Sequence, residues 1–245
     1  SASVQPTTVA SVRQVRLRYG DVIALDGIDL DIPAGRMVGL IGPDGVGKSS
    51  LLSLVAGARA VQAGEVEVLG GDMAEARHRQ AVGPRIAYMP QGLGKNLYPT
   101  LSVFENIDFF GSLFGLPRAD RRARIDRLLH ATGLHPFPDR PAGKLSGGMR
   151  QKLSLCCALI HDPDLLILDE PTTGLHPSDI DMLIGQLQLL VDAGNTVVIA
   201  DHDLRTLSIV DWIVDLGPGA GRYGGRVLYN GPADGIAEVA ESVTA

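Results

Sequence analysis

Short, continuous apolar runs recur along the chain, separated by segments in which apolar residues return every three or four positions. Runs of this length predict buried strands, and the wider spacing predicts helices that pack against them. The strands predicted in this way lie at residues 37–41, 85–89, 165–168, 196–200 and 212–216. Because strands alternate with helices, we expect an α/β fold with a mainly parallel sheet covered by helices.

The N-terminal part has a different pattern. Residues 12–18 and 23–32 alternate mostly between apolar and polar positions on either side of a turn at Gly20, and residues 65–69 form a further short strand. This pattern predicts an antiparallel β subdomain of half-buried strands. Residues 1–10 have neither a basic start nor an apolar stretch, so they predict a short lead without regular structure rather than a signal peptide.

Between residues 92 and 158 the pattern predicts helices with no strand between them. We expect helices at 102–114 and 118–132, and Ser102 and Glu105 have the spacing of a capping box at the start of the first. A run of arginines predicts a solvated helix face, with a patch for a partner or a phosphate as the alternative. Its members are Arg121, Arg122, Arg124 and Arg127.

These patterns together predict one domain over residues 1–245. Its core would be formed by residues 12–91 and 159–232, with residues 92–158 inserted as a helical subdomain. A chain of this length fits a single α/β domain.

The composition argues against several classes of protein. The 245 residues are 45% apolar, enough for a large core, and the net charge of −6 gives no overall basic field for nucleic acid. Cys156 and Cys157 are the two cysteines, and their adjacency predicts buried thiols rather than a zinc site or a disulfide framework. No apolar run has the length of a bilayer span. We therefore expect a protein of the reducing cytoplasm, with any membrane span supplied by another polypeptide or by a domain outside this sequence.

A glycine-rich segment, Gly42-Pro-Asp-Gly-Val-Gly-Lys-Ser49, follows a predicted strand and opens a predicted helix. This is the context of a phosphate-binding loop, so a chance glycine-rich turn is the weaker interpretation. Glycines let the backbone curl around a triphosphate, the helix N-terminus offers N–H donors, Lys48 adds positive charge, and the Ser49 hydroxyl suits Mg²⁺. The residues expected to bind the nucleotide here are Gly42, Pro43, Asp44, Gly45, Val46, Gly47, Lys48, Ser49 and Ser50.

Two carboxylates, Asp169 and Glu170, follow the predicted strand at 165–168. Ligands in open α/β sheets bind at the carboxyl ends of strands. We expect Asp169 to hold Mg²⁺ and Glu170 to orient and polarise the attacking water. Many strands end in acidic residues, so the pair alone is weak evidence for a catalytic site. Together with the phosphate-binding loop it is strong evidence.

The segment Leu145-Ser-Gly-Gly-Met-Arg-Gln-Lys152 resembles the signature sequence of ABC ATPases. Taken alone, Ser146 and the glycines after it would be an ordinary serine N-cap with flexible glycines. Their spacing before Asp169 favours the signature sequence instead. The resemblance, which covers about residues 12–231, implies a P-loop NTPase fold of the ABC type with ATP and Mg²⁺ as ligands. It also implies a pair of cassettes, in which Ser146, Gly147 and Gly148 of one cover the γ-phosphate bound to the other.

The same resemblance assigns three further residues. Gln91 looks like the glutamine that touches Mg²⁺ and reports the nucleotide state to the partner. His202 looks like the switch histidine at the γ-phosphate, and Tyr19 looks like the aromatic residue that stacks on adenine. Each has a plainer alternative: a turn residue, a capping residue and a strand-end tyrosine.

The two halves of the chain resemble different branches of the family. Residues 42–54 and 89–97 are similar to the first ATPase domain of the ribosome-associated bacterial ABC ATPase, which carries a fused exporter-like membrane region. The segments Thr172-Thr-Gly-Leu-His176 and Asp211-Trp-Ile-Val-Asp-Leu-Gly-Pro218, with Gly224-Gly225, resemble the C-terminal ATPase of the excision-repair excinuclease. His176 stands where transporter cassettes usually have an aspartate. The change near 172–176 suggests a hybrid, natural or engineered.

The function predicted from these features is Mg-ATP binding and hydrolysis by paired cassettes that drive a membrane exporter at the cytoplasmic face of the membrane. The expected partners are a second ABC ATPase domain and a membrane-spanning exporter domain. One alternative is a translation ATPase that acts on the ribosome. Another is an excision-repair-like or engineered hybrid ATPase without a transport role. DNA is disfavoured as a partner, because the excinuclease relatives need long insertions and cysteine zinc modules and this sequence has neither.

Overall fold

The computed structural model describes residues 7–217 and 225–238, which form two sheets and seven helices. The strands in this part of the chain are β1 (Thr8–Tyr19), β2 (Val22–Pro33), β3 (Met37–Ile41), β4 (Ala63–Val68), β5 (Gly71–Asp72), β6 (Ile86–Met89), β7 (Leu165–Asp169), β8 (Thr196–Ala200), β9 (Trp212–Gly217) and β10 (Arg226–Pro232). The helices are α1 (Lys48–Val55), α2 (Ala76–Val82), α3 (Val103–Leu113), α4 (Arg118–Thr132), α5 (Gly147–Leu159), α6 (Pro177–Asp192) and α7 (Leu204–Leu207). The predictions for residues 1–6, Pro218 and Gly224 lie outside the described residues.

The larger sheet confirms the predicted α/β class. Its described strands follow the order β10-β9-β3-β8-β7-β6, and every neighbouring pair is parallel except β10 with β9. All residues of β3, β7 and β8 are buried, since apolar side chains from helices pack on both faces. Both β3 and β7 pair with β8, so their carboxyl ends lie close together. The segments that follow these two strands therefore meet at one edge of the sheet.

The smaller sheet is antiparallel, with the order β2-β1-β4-β5 among the described strands. It corresponds to the predicted N-terminal β subdomain, but the prediction for residues 8–10 was wrong. Thr8 pairs with Pro33, and Ala10 pairs with both Ile32 and Val68 and is fully buried. Pairing with strands far along the chain orders this segment, and such pairing leaves no trace in its own sequence.

Three helices, α3, α4 and α5, lie between β6 and β7 and share an apolar core. The predicted capping box is present: Ser102 Oγ accepts from the Glu105 N–H at 3.0 Å, and Glu105 Oε2 accepts from the Ser102 N–H at 2.8 Å. Arg121 and Arg124 form ion pairs with Asp108 and Asp162, each at 2.8 Å. These two arginines therefore hold the helices together, rather than only facing solvent.

The other helices differ from the prediction in two places. The sequence pattern predicts a helix over residues 203–210, but α7 ends at Leu207, and Val210 is instead buried against the sheet. Helix α2 was not predicted, because its seven residues lack a side-chain cap and only Val82 is buried. Among the described residues, no helix combines the length and the apolar character needed to cross a membrane.

The two cysteines are buried in α5, as the sequence predicted. Burial raises the pKa of the Cys156 thiol to about 12 and raises the pKa of Cys157 well above its usual value. Thiols with such raised pKa values remain protonated at neutral pH, so both residues serve packing rather than chemistry.

His161, which follows α5, is an unusual buried imidazole. Its ring stacks on Phe114 with 3.6 Å between centroids, its exposed fraction is 5%, and neither ring nitrogen has a hydrogen-bond partner in the described structure. Burial lowers the pKa of His161 from 6.5 to about 4. The unfolded chain therefore binds a proton at a higher pH than the folded protein does.

We expect His161 to make the protein less stable as the pH falls from about 6.5 to 4. The sign follows because the unfolded state takes up the proton first, and the full effect corresponds to about 3 kcal/mol in the free energy of unfolding. Urea unfolding across this pH range measures it. In His161→Phe, which keeps the stack without the charge, this part of the pH dependence should disappear, whereas His135→Gln, at an exposed histidine, should retain it. An unchanged pH profile in His161→Phe would contradict the assignment.

Candidate active site

The glycine-rich loop connects β3 to α1 and is shaped by backbone conformations that favour glycine. Gly42 has φ of 139° and Gly47 has φ of 105°. A Cβ atom on Gly42 would lie 2.1 Å from the Leu216 carbonyl oxygen, and one on Gly47 would lie 2.5 Å from that of Ala24. Neither position accepts a side chain, so the loop curls tightly and presents its backbone.

Lys48 lies at the centre of this curl, at the first position of α1. Its exposed fraction is 9%, and Nζ donates to the Gly42 carbonyl oxygen at 2.6 Å and to that of Pro43 at 2.9 Å. Burial lowers the pKa of Lys48, while the nearby carboxylate of Asp44 opposes that shift. No side chain caps α1, so the N–H groups of its first turn remain available to a ligand. Together these groups suit an anion with several oxygen atoms.

Asp169, at the end of β7, is 3% exposed. The Ser49 hydroxyl and the Gln91 backbone N–H lie near its carboxylate, and its Oδ2 atom has no hydrogen-bond partner in the described structure. Burial raises the pKa of Asp169, and the Ser49 hydroxyl opposes that rise. A buried carboxylate oxygen without a donor, beside a hydroxyl group, fits the oxygen ligands that a hard cation such as Mg²⁺ requires.

Glu170 follows immediately and has a backbone that non-glycine residues rarely adopt, with φ of 51°. Its N–H donates to the Ala200 carbonyl oxygen at 2.7 Å, which ties the end of β7 to β8. Glu170 Oε1 lies 3.5 Å from His202 Nε2, and Asp44 Oδ1 lies 3.3 Å from the same nitrogen. The structure thus brings together side chains from the loop and from the ends of two strands.

Two residues that the sequence did not single out position these groups. Gln151 of α5 donates from Nε2 to the Glu170 and Pro171 carbonyl oxygens, at 3.2 Å and 2.8 Å. Asp201 Oδ1 accepts from the Thr172 hydroxyl at 2.7 Å and from the His202 N–H at 2.8 Å. Asp201 directly follows β8, and Asp169 is the last residue of β7. An acidic residue at the carboxyl end of a buried strand was therefore a signal in the sequence from which Asp201 could have been predicted.

Most residues of the loop, together with Asp169 and Glu170, line one cleft of about 330 Å³, whereas Gly42, Pro43 and His202 are not among its lining residues. Its lining residues are Tyr19, Val22, Ile23, Ala24, Asp44, Gly45, Gly47, Lys48, Ser49, Ser50, Gln91, Asp169 and Glu170. The predicted site residues from the loop, from Gln91 and from the end of β7 are therefore adjacent. Val46 differs from its neighbours, because its side chain is buried in the hydrophobic core and only its backbone is available to a ligand.

Tyr19 lies at one end of the cleft, and its ring is fixed from two directions. The Tyr19 hydroxyl and Ser50 Oγ are 3.0 Å apart, and the guanidinium carbon of Arg59 lies 4.7 Å from the ring centroid. One face of the ring is therefore covered, so a stacked base would use the other. An apolar wall that the sequence analysis did not predict lies beside the ring and is formed by Val22, Ile23 and Ala24.

The signature residues do not line this cleft. Ser146 caps α5, its Oγ accepting from the Met149 N–H at 3.3 Å. A Cβ atom on Gly148 would lie 2.9 Å from the Gly174 carbonyl oxygen, which shows how closely the start of α5 approaches the segment after Glu170. Within one chain, the start of α5 therefore lies beside the segment after Glu170 and outside the lining of the cleft.

Comparisons with known proteins bear on both fold and family. Residues 25–173, more than half of the chain, match the family model described as "ABC transporter". The chain is also similar to the Nod factor export ATP-binding protein I of Ralstonia nicotianae, with 37% identity over 196 residues. That alignment covers 80% of this chain and 60% of the relative, so the chain spans about 60% of the relative's length.

Two solved structures share the fold. One, described as an ATP-binding subunit of an ABC transporter, has a TM-score of 0.84 and 26% identity, and the match covers 97% of each chain. The other is an ATP-binding cassette solved as a dimer in a post-hydrolysis state with ADP and Pi. Its TM-score is 0.80 at 23% identity, covering 91% of this chain and 98% of that one. These matches confirm the predicted P-loop NTPase fold of the ABC type.

The comparisons give no support to a hybrid chain. An alignment of 196 residues within 245 must include residues 172–176, where the sequence suggested a change of branch. The match with 97% coverage likewise runs across that segment. None of the proteins named above is a ribosome-associated or an excision-repair ATPase.

Proposed function

The chain belongs to the ABC transporter family, and on that premise we propose that it binds Mg-ATP and hydrolyses it to drive a membrane exporter. The observation that carries this proposal is the single cleft in which the Lys48 loop meets Asp169 and Glu170. Anion-binding groups, a cation-binding carboxylate and an acceptor for a proton from water are the parts that phosphoryl transfer requires.

In this proposal the loop binds the phosphates of ATP. The Lys48 ammonium and the N-terminal N–H groups of α1 face them, and the buried position of Lys48 strengthens its attraction for phosphate oxygens. The adenine stacks on the Tyr19 face opposite Arg59, beside Val22 and Ile23. Polar groups at one end and apolar groups at the other match the two ends of a nucleotide.

The oxygen ligands fit Mg²⁺. Asp169, with its unpartnered Oδ2, and the Ser49 hydroxyl would hold the ion, and Gln91 stands beside them. The bound ion would neutralise part of the charge on the phosphates.

Glu170 would accept a proton from the water that attacks the γ-phosphorus, as the bond from phosphorus to the ADP oxygen breaks. His202, 3.5 Å from Glu170 Oε1, would contact the γ-phosphate. Gln151 and Asp201 act as positioning residues, because they bind the backbone beside Glu170 and His202 rather than the reactants. These contacts hold the backbone that carries both side chains, which supports catalysis by orientation.

A second cassette is the partner that the signature residues suggest. Ser146, Gly147 and Gly148 lie outside their own chain's cleft, so they are available to the nucleotide of another copy. The dimeric state of one structural neighbour, described as bound to ADP and Pi, supports the same pairing. The name of the Ralstonia relative supports an exporter. We therefore propose that the chain acts at the cytoplasmic face of a membrane beside a membrane-spanning partner.

Phosphate release by the purified chain tests the enzymatic part of this proposal. We expect turnover with Mg-ATP, loss of turnover with excess chelator, and a decrease of about tenfold or more in Asp169→Asn, because the amide removes a charged oxygen ligand. Asp126→Asn, at an exposed carboxylate on α4, is the matched control. Turnover that survives both chelation and Asp169→Asn would contradict the proposed site.

Sedimentation tests the proposed partner. We expect ATP-dependent binding to membrane vesicles from the organism that encodes the chain, and no ATP-dependent binding to its ribosomes. Binding to ribosomes and not to vesicles would overturn the exporter proposal and favour the translation alternative.

A further inference from the structure

Three side chains that can bind a metal converge beside the phosphate-binding loop. One ligand atom from each of Asp44, Glu170 and His202 lies within 4.8 Å of the others. The three residues come from different places in the chain: the loop after β3, the end of β7 and the end of β8. They share no residue with Asp169, Ser49 and Gln91, which the proposed function assigns to Mg²⁺.

The two distances from His202 to the carboxylates of this cluster suit one class of metal ion. His202 Nε2 lies 3.3 Å from Asp44 Oδ1 and 3.5 Å from Glu170 Oε1. Zinc bonds of about 2.0–2.1 Å at tetrahedral angles place neighbouring ligand atoms about 3.3–3.4 Å apart. Octahedral Mg²⁺ with bonds of similar length places them only about 2.9 Å apart and favours oxygen ligands over imidazole. The two distances to His202 Nε2 and the presence of an imidazole therefore favour Zn²⁺, and rotation of the exposed Asp44 side chain would set its separation from Glu170.

The surroundings also favour a cation. The carboxylates of Asp44, Glu170 and Asp169 all lie near one ammonium group, that of Lys48, so negative charge exceeds positive charge. The Lys48 group is directed towards the carbonyl oxygens of the loop by two hydrogen bonds. A cation at the cluster therefore has a net attraction to its surroundings.

Two of the ligands are carried by backbone that is held in place, and the third is free to adjust. Asp201 binds the His202 N–H, and Gln151 binds the Glu170 carbonyl oxygen. The Asp44 side chain is 90% exposed and can rotate to complete the set. The His202 side chain is 55% exposed, which leaves the cluster open to solvent.

We propose that the nucleotide-free chain binds one Zn²⁺ through Asp44 Oδ1, Glu170 Oε1 and His202 Nε2, with water in the fourth position. Three protein ligands and one water form a common zinc coordination. Zinc binding itself does not depend on the proposed function. If Glu170 and His202 act in hydrolysis as proposed, the ion occupies both and the zinc-bound form is inactive.

The test is competition for Zn²⁺ between the nucleotide-free protein and a zinc-binding dye at neutral pH. We expect one Zn²⁺ per chain, which excess Mg²⁺ does not displace. Asp44→Asn and His202→Gln should each weaken binding about tenfold or more, since removal of one of three ligands costs at least as much as loss of an outer-shell partner. X-ray absorption at the zinc edge should show nitrogen and oxygen ligands without sulfur.

Matched controls separate this cluster from other zinc-binding groups. Asp21→Asn removes an exposed carboxylate from the turn before β2, and His130→Gln removes one of two stacked histidines, 4.6 Å from His135. Both should bind Zn²⁺ like the parent chain. Stoichiometric binding that survives Asp44→Asn, or that is lost in His130→Gln, would overturn the proposal, as would the lack of any competition with the dye. Retained zinc binding in a chain without ATPase activity would contradict the proposed function and leave the zinc site intact.

Discussion

Replacement of Glu170 by glutamine is expected to reduce ATP turnover by about 100-fold or more while ATP binding is retained. Glutamine has the same shape but cannot accept a proton, and a positioned general base contributes about 10²–10⁴ in rate. The hydrogen bond from the Glu170 N–H to the Ala200 carbonyl oxygen and the hydrogen bond from Gln151 to the Glu170 carbonyl oxygen involve only the backbone of residue 170. The substitution leaves both in place, so the glutamine side chain should occupy the position of the glutamate. Phosphate release at saturating Mg-ATP, together with equilibrium nucleotide binding, measures both quantities.

The matched control is Glu67→Gln, at an exposed acidic residue on β4 remote from the cleft, which should turn over ATP like the parent chain. Light scattering adds a second measurement. With ATP bound and not hydrolysed, Glu170→Gln should form a dimer, because the closed pair is not opened by product formation. Normal turnover in Glu170→Gln would show that the proton goes to another group. A monomer with ATP bound would contradict the proposed pairing of cassettes.

Replacement of Lys48 by alanine is expected to weaken ATP binding by about 10- to 100-fold. Hydrogen bonds to a charged group contribute about 1.5–3 kcal/mol each, and every 1.4 kcal/mol is a factor of ten in affinity. The variant also leaves the Gly42 and Pro43 carbonyl oxygens without their shared donor, so the loop loses the contact that fixes its curl. Titration with a fluorescent ATP analogue measures the loss directly.

Lys144→Ala is the charge-matched control, since it removes one exposed lysine outside the cleft. It should bind ATP like the parent chain, which excludes a general effect of net charge. Affinity retained in Lys48→Ala would contradict the assignment of the phosphate-binding loop. Equal weakening in both variants would point to long-range electrostatics instead of a direct contact.

Much of the fold could be predicted because it depends on local patterns. The predicted bounds of β3, β8 and α4 agree with the structure at both ends. Strands β3 and β8 consist entirely of buried residues, so a continuous apolar run was a sufficient signal. Helix α4 begins after Pro117 and ends before Gly133 in the left-handed conformation, and proline and glycine mark such limits in sequence.

The errors occurred where the pattern was weak or the cause lay elsewhere in the chain. Residues 8–10 extend β1 only because two other strands pair with them. Helix α2 is short and mostly exposed, so its sequence has neither an apolar stripe at helical spacing nor a capping side chain from which a helix could be predicted. The suggested hybrid came from short resemblances, which weigh less than one alignment of 196 residues.

By itself, the sequence determined which residue types follow which strands. The glycines and Lys48 after β3, the two acids at the end of β7 and the capping serine of α5 are each a property of a few adjacent residues. Backbone conformation and helix capping at such places are local, so the sequence reveals them.

Only the tertiary structure decided how these segments meet. The approach of His202 to Asp44 and Glu170, the binding of Asp201 to Thr172 and the reach of Gln151 to Glu170 join residues from separate elements. The ring stacking of Phe114 with His161 and the position of the Arg59 guanidinium over the Tyr19 ring also join residues from separate elements. The strand order and the packing of the helices determine these distances. No periodicity within a single segment encodes them, because each depends on where the rest of the chain lies.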